Sequence, residues 1–288
     1  MQFFIVDVFA GAKYQGNPLA VLIPDRPIDT DEMQQIAKEI HFSETTFIMS
    51  GKKANGGYDV RVFSPDVELP FAGHPTLGTA FVIAREFEQG KADTVLLNLK
   101  VGQIPVRLQG DQLTMTHNQP EFGPLLVDSH QVAEMLQLQE DDLDKSFPIE
   151  VVSTGLPSVI VPLNSLAALQ SCRVHADKYR HFLEHTVKAN VLLFARGEDE
   201  VVPQLRVRVF VDESGYYEDP ATGSANGNLA AYLLSHDFFG TSAIDYLAVQ
   251  GVEMGRPSLL KIDAELVRDR YQIRVGGKVF LVAKGDWE

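Results

Sequence analysis

The 288-residue sequence contains a single cysteine, Cys172, and its 25 basic side chains are outnumbered by 39 acidic ones. One cysteine excludes an internal disulfide and a thiolate metal cluster. The net charge of −14 predicts a surface that repels phosphate backbones and anionic lipids, so nucleic acid and membranes are poor partners. The sequence also lacks any apolar run near the roughly 18 residues that span a bilayer. We expect a cytoplasmic protein.

What remains is the composition of an ordinary globular protein, 45% hydrophobic and 22% charged. The first seven residues have no basic segment and end in an acid, which predicts a first strand and not a signal peptide. The length suits one large domain or two ordinary ones. A turn-rich segment at residues 119–124 predicts two α+β halves, residues 1–120 and 121–288, with a C-terminal strand that can return to the first half.

Two repeated segments indicate an internal duplication. Val-Arg-Val-Phe occurs at residues 60–63 and again at 207–210, each time ahead of a turn rich in glycine and proline and a helix of small residues. A Gly-x-Pro segment followed by apolar residues occurs at 16–23 and again at 155–161. Because both repeats keep the same order, we expect two similar halves that face one another, with a site in the cleft between them.

Hydrophobic periodicity predicts both strands and helices. Asp29 is placed to cap a helix with one buried stripe that ends near Ile40, and Glu32 lies at the reciprocal capping position. Pro75 suits the first turn of the next helix, where its missing N–H is harmless. Segments rich in β-branched and aromatic residues, or alternating in polarity, predict strands at 3–9, 19–23, 58–63, 95–99, 104–108 and 112–116.

Glu44 lies between the end of the first predicted helix and a strand-like run that starts at Thr45. A half-buried carboxylate at this junction would have a raised pKa and could transfer protons near neutral pH. The alternative is a solvent-exposed loop glutamate, and composition alone favours that alternative, because most glutamates lie on the surface.

His74 stands between Gly73 and Pro75, so we expect a non-helical residue at the mouth of a helix. Its imidazole could donate to or accept from a bound polar group, and the adjacent helix N-terminus favours an anionic ligand. A histidine that only completes the turn is an equally good interpretation of the same residues.

Residues 219–224, Asp-Pro-Ala-Thr-Gly-Ser, are expected to be the repeat partner of the turn at 73–76. Gly223 allows a close backbone approach, and the N–H groups and hydroxyls of Thr222 and Ser224 could form a cradle for a carboxylate. The alternative is a helix cap formed by Asp219 or Thr222. Both interpretations can hold together.

Other residues add little chemistry. Asn17 could orient a substrate, although a role in its turn is as plausible. The eight histidines lack the spacings typical of zinc sites, and His181 and His185 fall in a charged helix that indicates a solvated face. No serine lies in a Gly-x-Ser-x-Gly context. The sequence therefore predicts neither a metal-dependent hydrolase nor an acyl-transfer triad.

Five motifs in chain order resemble those of the phenazine-biosynthesis isomerase (PhzF-like) family, and the likeness covers nearly the whole chain. They are residues 7–9 with 16–21, 42–47, 68–76, 218–225 and 250–258. The resemblance implies the α+β fold of diaminopimelate epimerase: two pseudo-symmetric halves, each a sheet wrapped around a central helix. Those epimerases use a cysteine from each half, but the corresponding stretches here hold Gly73 and Pro220. Thiol-based racemisation is therefore set aside.

By the same resemblance, the protein is expected to be an isomerase without cofactor or metal, and a homodimer. It would move a proton on a small carboxylic acid, as in the enol-to-ketone conversion of a dihydro-hydroxyanthranilate in phenazine biosynthesis. A non-catalytic protein that binds small acids, or a scaffold that retains the fold, is the alternative. The implied general acid–base is Glu44, its polar partners are His74 and Asp219, and the substrate-binding residues are Asn17, Gly73, Gly223 and Ser224.

Overall fold

A computed structural model describes residues 1–126, 128–197, 204–213 and 216–288. The chain divides into two compact units, one formed by Met1–Thr116 with Gly276–Glu288 and the other by His117–Val275. The second unit begins at His117, whose backbone N–H donates to the carbonyl of Ile273 in the same unit (2.9 Å). Within the described residues, no helix has the length and apolar character needed to cross a membrane.

The first unit contains two helices and most of its strands before residue 117. The helices are α1 (Thr30–Ile40) and α2 (Gly73–Glu86). The strands are β1 (Gln2–Val8), β2 (Asn17–Ile23), β3 (Thr45–Ile48), β4 (Gly57–Phe63), β5 (Glu68–Leu69), β6 (Thr94–Leu99), β7 (Gly102–Gln109) and β8 (Gln112–Thr116).

The second unit contains four α-helices and a short 3-10 helix (Glu140–Asp142) among its described residues. The helices are α3 (Ser129–Met135), α4 (Leu166–Ser171), α5 (Ala176–His185) and α6 (Gly223–Ser235). The strands are β9 (Glu121–Leu125), β10 (Glu150–Ser153), β11 (Pro157–Pro162), β12 (Asn190–Arg196), β13 (Gln204–Glu213), β14 (Tyr216–Asp219), β15 (Ala243–Gln250), β16 (Ser258–Val267) and β17 (Arg270–Asp286). The last strand, β17, begins in this unit and ends in the first.

In each unit the strands pair one after another in a ladder, and antiparallel and parallel pairs alternate in the same order in both units. In the first unit, β1–β2, β3–β4 and β6–β7 are antiparallel, whereas β2–β3 and β4–β6 are parallel. In the second, β10–β11, β12–β13 and β15–β16 are antiparallel, whereas β11–β12 and β13–β15 are parallel. An antiparallel strand precedes each ladder: β17 pairs with β1, and β9 pairs with β10. The chain is therefore a β-rich α+β protein.

Helix α1 follows its sequence pattern. The carboxylate of Asp29 accepts the backbone N–H of Glu32 (2.8 Å), which caps the helix as predicted. The reciprocal bond does not form, because the Glu32 carboxylate instead pairs with Arg26 (2.5 Å). The buried stripe packs on Phe47 and Phe63, and the helix ends before Glu44.

Helices α2 and α6 are the most deeply buried helices of their units. Eleven of the fourteen residues of α2 are buried, and twelve of the thirteen of α6. Strands β1, β2, β3, β6, β7 and β8 contact α2, whereas β10, β11, β12, β15 and β16 contact α6. Gly78 makes this packing possible in the first unit, since a Cβ there would lie 2.5 Å from the Leu19 side chain.

The repeated Val-Arg-Val-Phe segments form β4 and β13, and each makes the same ion pair. Arg61 binds Glu68 with two hydrogen bonds of 2.8 and 2.7 Å, and Arg208 binds Glu218 with two of 2.8 Å. Each guanidinium also lies over the phenylalanine two residues on, at 5.1 and 4.9 Å. The repeat seen in the sequence is therefore a repeat of contacts as well.

The strand register corrects how the two turns correspond. Val62 pairs with Leu69 in the first unit, and Val209 pairs with Asp219 in the second. Both helices then begin four residues later, at Gly73 and Gly223. Asp219 is thus equivalent to Leu69 and does not align with the turn at 73–76. The pairing of the strands determines this alignment, whereas the glycine and proline content of the two turns suggests the other one.

Candidate active site

Glu44 and His74 lie together in the first unit. Glu44 occupies the short connection between α1 and β3, with 16% of its side chain exposed. His74 is buried, and its Nε2 lies 3.5 Å from Oε2 of Glu44. His74 is the second residue of α2, so the expectation of a non-helical residue was wrong: helical geometry begins at Gly73, one residue earlier.

The histidine is uncharged at neutral pH. Burial lowers the pKa of His74 to about 3, and a hydrogen bond with the backbone of Pro18 opposes this shift only in part. Glu44 and His74 are therefore a carboxyl group beside a neutral imidazole and not an ion pair. A neutral imidazole offers one donor and one acceptor nitrogen, so it can hold or orient a carboxyl group in either protonation state.

Asn17 and Ser43 complete this group of polar residues. Asn17 is fully buried at the start of β2, and its Nδ2 lies 3.2 Å from Nδ1 of His74. The Ser43 hydroxyl donates to Oδ1 of Asn17 at 3.5 Å. A chain of contacts thus runs from Ser43 through Asn17 to the imidazole that faces Glu44. The parallel pairing of β2 with β3 brings these residues together.

The N-termini of α2 and α6 differ from those of α1, α3 and α4. Asp29, Asp128 and Ser165 cap the latter three helices with their side chains. Residues Ala72 and Thr222, which precede α2 and α6, make no side-chain cap bond, and the first turns hold no acidic residue. The helix dipole and the first backbone N–H groups favour an anion at such an end. Both N-termini are thus suited to an anionic ligand.

In the second unit, Asp219 and Ser224 flank this uncapped end. Asp219 ends β14 and is 8% exposed, and Ser224 is a buried residue of the first turn of α6. The Thr222 hydroxyl donates to Oδ2 of Asp219 at 2.5 Å and therefore does not cap the helix. Gly223 opens the helix between them.

A buried glutamine fastens this turn to the end of β15. Nε2 of Gln250 donates to the carbonyl of Asp219 (2.7 Å) and to Oγ1 of Thr222 (3.0 Å). Its Oε1 accepts the backbone N–H of Thr222 (3.2 Å) and Nδ2 of Asn226 (2.9 Å). Gln250 begins the motif at 250–258, and the sequence alone gave it no role. Its side chain reaches Asp219 only through the pairing of β13 with β15.

The structure thus brings Asn17, Glu44 and His74 together in the first unit, with Gly73 at the helix start beside them. It brings Asp219, Gly223 and Ser224 together in the second. Thr222, which the sequence predicted as part of a carboxylate cradle, joins the second group. Ser43 and Gln250 join these groups without having been predicted as site residues. Among the residues described, no group of three or more His, Cys, Asp or Glu side chains is placed to hold a metal ion.

The chain matches known proteins over nearly their whole length. A family profile described as "Phenazine biosynthesis-like protein" matches residues 6–285. The trans-2,3-dihydro-3-hydroxyanthranilate isomerase of Pseudomonas chlororaphis is 34% identical over 289 residues, which cover 98% of each chain. An uncharacterized isomerase of Pasteurella multocida is 31% identical over 286 residues, covering 99% of this chain and 93% of the relative.

Solved structures agree with this placement. A phenazine biosynthesis protein of the PhzF family from Bacillus anthracis has a TM-score of 0.88 and 25% identity, over 99% of this chain and 98% of that one. A probable proline racemase from Agrobacterium radiobacter shares the fold at a TM-score of 0.64 but only 11% identity, over 100% of this chain and 92% of that one. The fold is thus common to proteins whose sequences have diverged far from this one.

Proposed function

The chain belongs to the phenazine biosynthesis-like protein family and is an isomerase, and we propose that Glu44 is the acid–base group with which it moves a proton. The observation that carries the proposal is the 3.5 Å approach of the Glu44 carboxyl group to the buried, neutral imidazole of His74. A carboxylate shielded from water and held by a neutral partner can both accept and return a proton.

We propose a small unsaturated carboxylic acid that carries a hydroxyl group on the carbon that loses the proton, as the name of the Pseudomonas chlororaphis relative suggests. The Glu44 carboxylate removes the proton from the hydroxyl-bearing carbon, and the electron pair of that C–H bond enters the adjacent conjugated system. The protonated Glu44 then returns the proton to the far carbon of that system, which leaves an enol. The enol becomes a ketone when its O–H proton passes to water and water supplies one proton to the neighbouring carbon. No atoms are gained or lost, and no cofactor is needed.

We propose that the second unit binds the substrate's polar groups. The uncapped first turn of α6, with Gly223 and Ser224, suits the substrate carboxylate. Asp219 accepts a hydrogen bond from a substrate N–H or O–H. Gly73 gives the first turn of α2 the same backbone access in the first unit, and Asn17 orients the substrate through His74. The uncapped ends of both helices support this assignment.

We further infer that the two units are pseudo-symmetric copies, each a sheet wrapped around one buried helix. The shared order of strand directions, the repeated ion pair and the strands that contact α2 and α6 support this inference. A homodimer in the cytoplasm remains our expectation.

Solvent deuterium exchange tests the proposal. The purified protein is incubated in D2O with trans-2,3-dihydro-3-hydroxyanthranilate and with simpler unsaturated hydroxy acids, and carbon-bound deuterium is measured by NMR. We expect exchange with the wild type, and Glu44→Gln should lower the exchange rate by about 10²–10⁴-fold while it retains acid binding. Glu39→Gln, the same change at an exposed position of α1, should have no effect.

The outcomes distinguish the alternatives. Exchange that persists in Glu44→Gln would show that another residue is the base. Tight binding of acids without exchange by the wild type would favour a protein that binds small acids and does no chemistry. Activity that chelators abolish and divalent metal restores would contradict the metal-free mechanism.

A further inference from the structure

The turn at residues 219–222 contains a polar network whose hydrogen bonds have fixed directions. The amide orientation of Gln250 is determined twice: its Oε1 accepts the Thr222 backbone N–H, which can only donate, and its Nε2 donates to the Asp219 carbonyl, which can only accept. Nε2 therefore also donates to the Thr222 hydroxyl. The single hydroxyl proton of Thr222 then points to Oδ2 of Asp219.

Asn226 closes the network on its other side. Its Nδ2 donates to the Thr222 carbonyl (3.0 Å) and to Oε1 of Gln250 (2.9 Å). Gln250 and Asn226 are 1% and 0% exposed, so water does not compete for these bonds. Thr222 is thus held at its N–H, its carbonyl and its hydroxyl, which leaves that hydroxyl one direction in which to donate.

The equivalent turn of the first unit does without this network. Gly57 pairs with Leu96 and Gln204 pairs with Leu247 in the parallel ladders, so the strand ends Leu99 and Gln250 correspond. By the same register, the residues equivalent to Asp219, Thr222, Gln250 and Asn226 are Leu69, Ala72, Leu99 and Thr76.

The first unit therefore forms the same strand pair and the same buried helix with apolar side chains at three of these four positions. The fold therefore does not require polar residues at these positions, and their presence in the second unit indicates a functional role for Asp219. Burying an amide, a hydroxyl and a carboxylate together is costly unless every bond is directed, and these bonds are directed at one carboxylate.

We propose that Gln250 and Thr222 are positioning residues that hold Asp219 as an ionised hydrogen-bond acceptor for the substrate. Gln250 orients Thr222, and Thr222 donates its hydroxyl proton to the carboxylate. The role of Asp219 toward substrate rests on the proposed function, whereas the effect of Thr222 and Gln250 on Asp219 does not.

The neighbouring charged groups do not take this role. Glu218, the adjacent residue on β14, is bound by Arg208, and Glu253 of the segment after β15 is bound by Arg206 at 2.8 Å. The network therefore acts on one carboxylate of the turn, and the loss of its donors should change the titration of that carboxylate first.

The test measures the titration of Asp219 directly, by carbon-13 NMR of its carboxyl group in the whole protein. Thr222→Val keeps the shape of the side chain and removes the donor, so the pKa of Asp219 should rise by about one unit. Thr222→Ser keeps the donor and should restore the wild-type titration. Gln250→Leu, which introduces the first unit's residue, should raise the pKa of Asp219 in the same direction.

Gln119→Leu is the matched control, because Gln119 also holds backbone with both ends of its amide, at Tyr271 (2.7 and 3.0 Å). It should leave the pKa of Asp219 unchanged.

Steady-state kinetics give a second measurement if the wild type is active. Thr222→Val and Gln250→Leu should lower kcat/KM about tenfold and move the acidic limb of the pH profile to higher pH, whereas Thr222→Ser should do neither.

An unchanged Asp219 titration in folded Thr222→Val would overturn the inference, as would an equal shift in Thr222→Ser. An inactive wild type together with the expected shifts would contradict the proposed function and leave the network as inferred. An active wild type whose Thr222 and Gln250 variants leave the titration of Asp219 unchanged would support the proposed function and overturn the inference about the network.

Discussion

The turns that lead into α2 and α6 occupy equivalent positions in their units, but one carries apolar and the other polar side chains. In the first unit, Leu69 and Ala72 precede a helix whose second residue is His74. In the second, Asp219 and Thr222 precede a helix whose second residue is Ser224. The same register makes Glu44 of the first unit equivalent to Asn190 of the second, since Thr45 pairs with Phe63 and Val191 with Phe210.

This difference separates two tasks. The first unit has a carboxyl group beside a neutral imidazole, which is suited to proton transfer. The second has a carboxylate, Asp219, bound by a hydroxyl and next to a buried amide, which is suited to binding. An enzyme with an acid–base group in each unit would transfer protons on two faces of its substrate. A single such group, Glu44, fits a proton removed and returned by the same carboxyl group.

We expect the largest difference between the two units in how much their repeated ion pairs contribute to the free energy of unfolding. Arg208→Met should lower the free energy of unfolding by about 3–5 kcal/mol, because it leaves the largely shielded Glu218 carboxylate without its partner and frees the carbonyls of Leu169 and Cys172. Arg61→Met should cost only about 1 kcal/mol, because Arg61 is more exposed and Lys100 still binds Glu68 at 2.7 Å. Urea unfolding measures both, and equal losses would show that the two pairs are energetically equivalent.

The buried histidines should make the protein less stable in acid. The pKa of His74 is lowered to about 3, below the unfolded value near 6.5, so the unfolded chain binds the proton first. The contribution of His74 to stability is complete above pH 6.5 and is lost as the pH falls from 6.5 toward 3, by about 1.4 kcal/mol per pH unit. His74→Asn should reduce this slope in urea unfolding at several pH values.

His117 provides the comparison in the second unit. Burial lowers its pKa to about 4, so His117→Asn should reduce the slope over a narrower range, from pH 6.5 toward 4. An imidazole of His74 that titrates near pH 6.5 by NMR would contradict the account of the first unit.

Ser224→Ala should separate binding from chemistry. Loss of one hydrogen bond to a charged group should raise KM about tenfold, and kcat should change much less, since the proton donor and acceptor lie in the other unit. Steady-state kinetics with Ser242→Ala, an exposed position of the same unit, as the control measure this. A fall in kcat at constant KM would instead place Ser224 in the proton transfer.

Ser43→Ala should have the smallest effect. The hydroxyl of Ser43 reaches Asn17 only at 3.5 Å, near the limit for a hydrogen bond, so we expect less than about a threefold change in kcat/KM. A large loss would mean that Ser43 contacts the substrate and does not act through Asn17.

Local patterns in the sequence predicted the elements well, but they could not supply contacts between distant segments. The predicted strands and α1 agree with the structure, because alternation and capping are encoded within a few neighbouring residues. The alignment of residues 219–224 with the turn at 73–76 was wrong, because it was drawn from turn composition before the strand register was known. Gln250 could not be given a role, because its contact with Asp219 depends on the parallel pairing of β13 with β15.

The most direct test of the division of tasks is a crystal structure of Glu44→Gln with the unreacted hydroxy acid bound. The account predicts the acid's carboxylate at the first turn of α6, on Gly223 and Ser224, with the carbon that loses its proton within about 3.5 Å of the substituted side chain at position 44. An acid bound with its carboxylate at that same position, or with its reacting carbon facing only the second unit, would contradict the account.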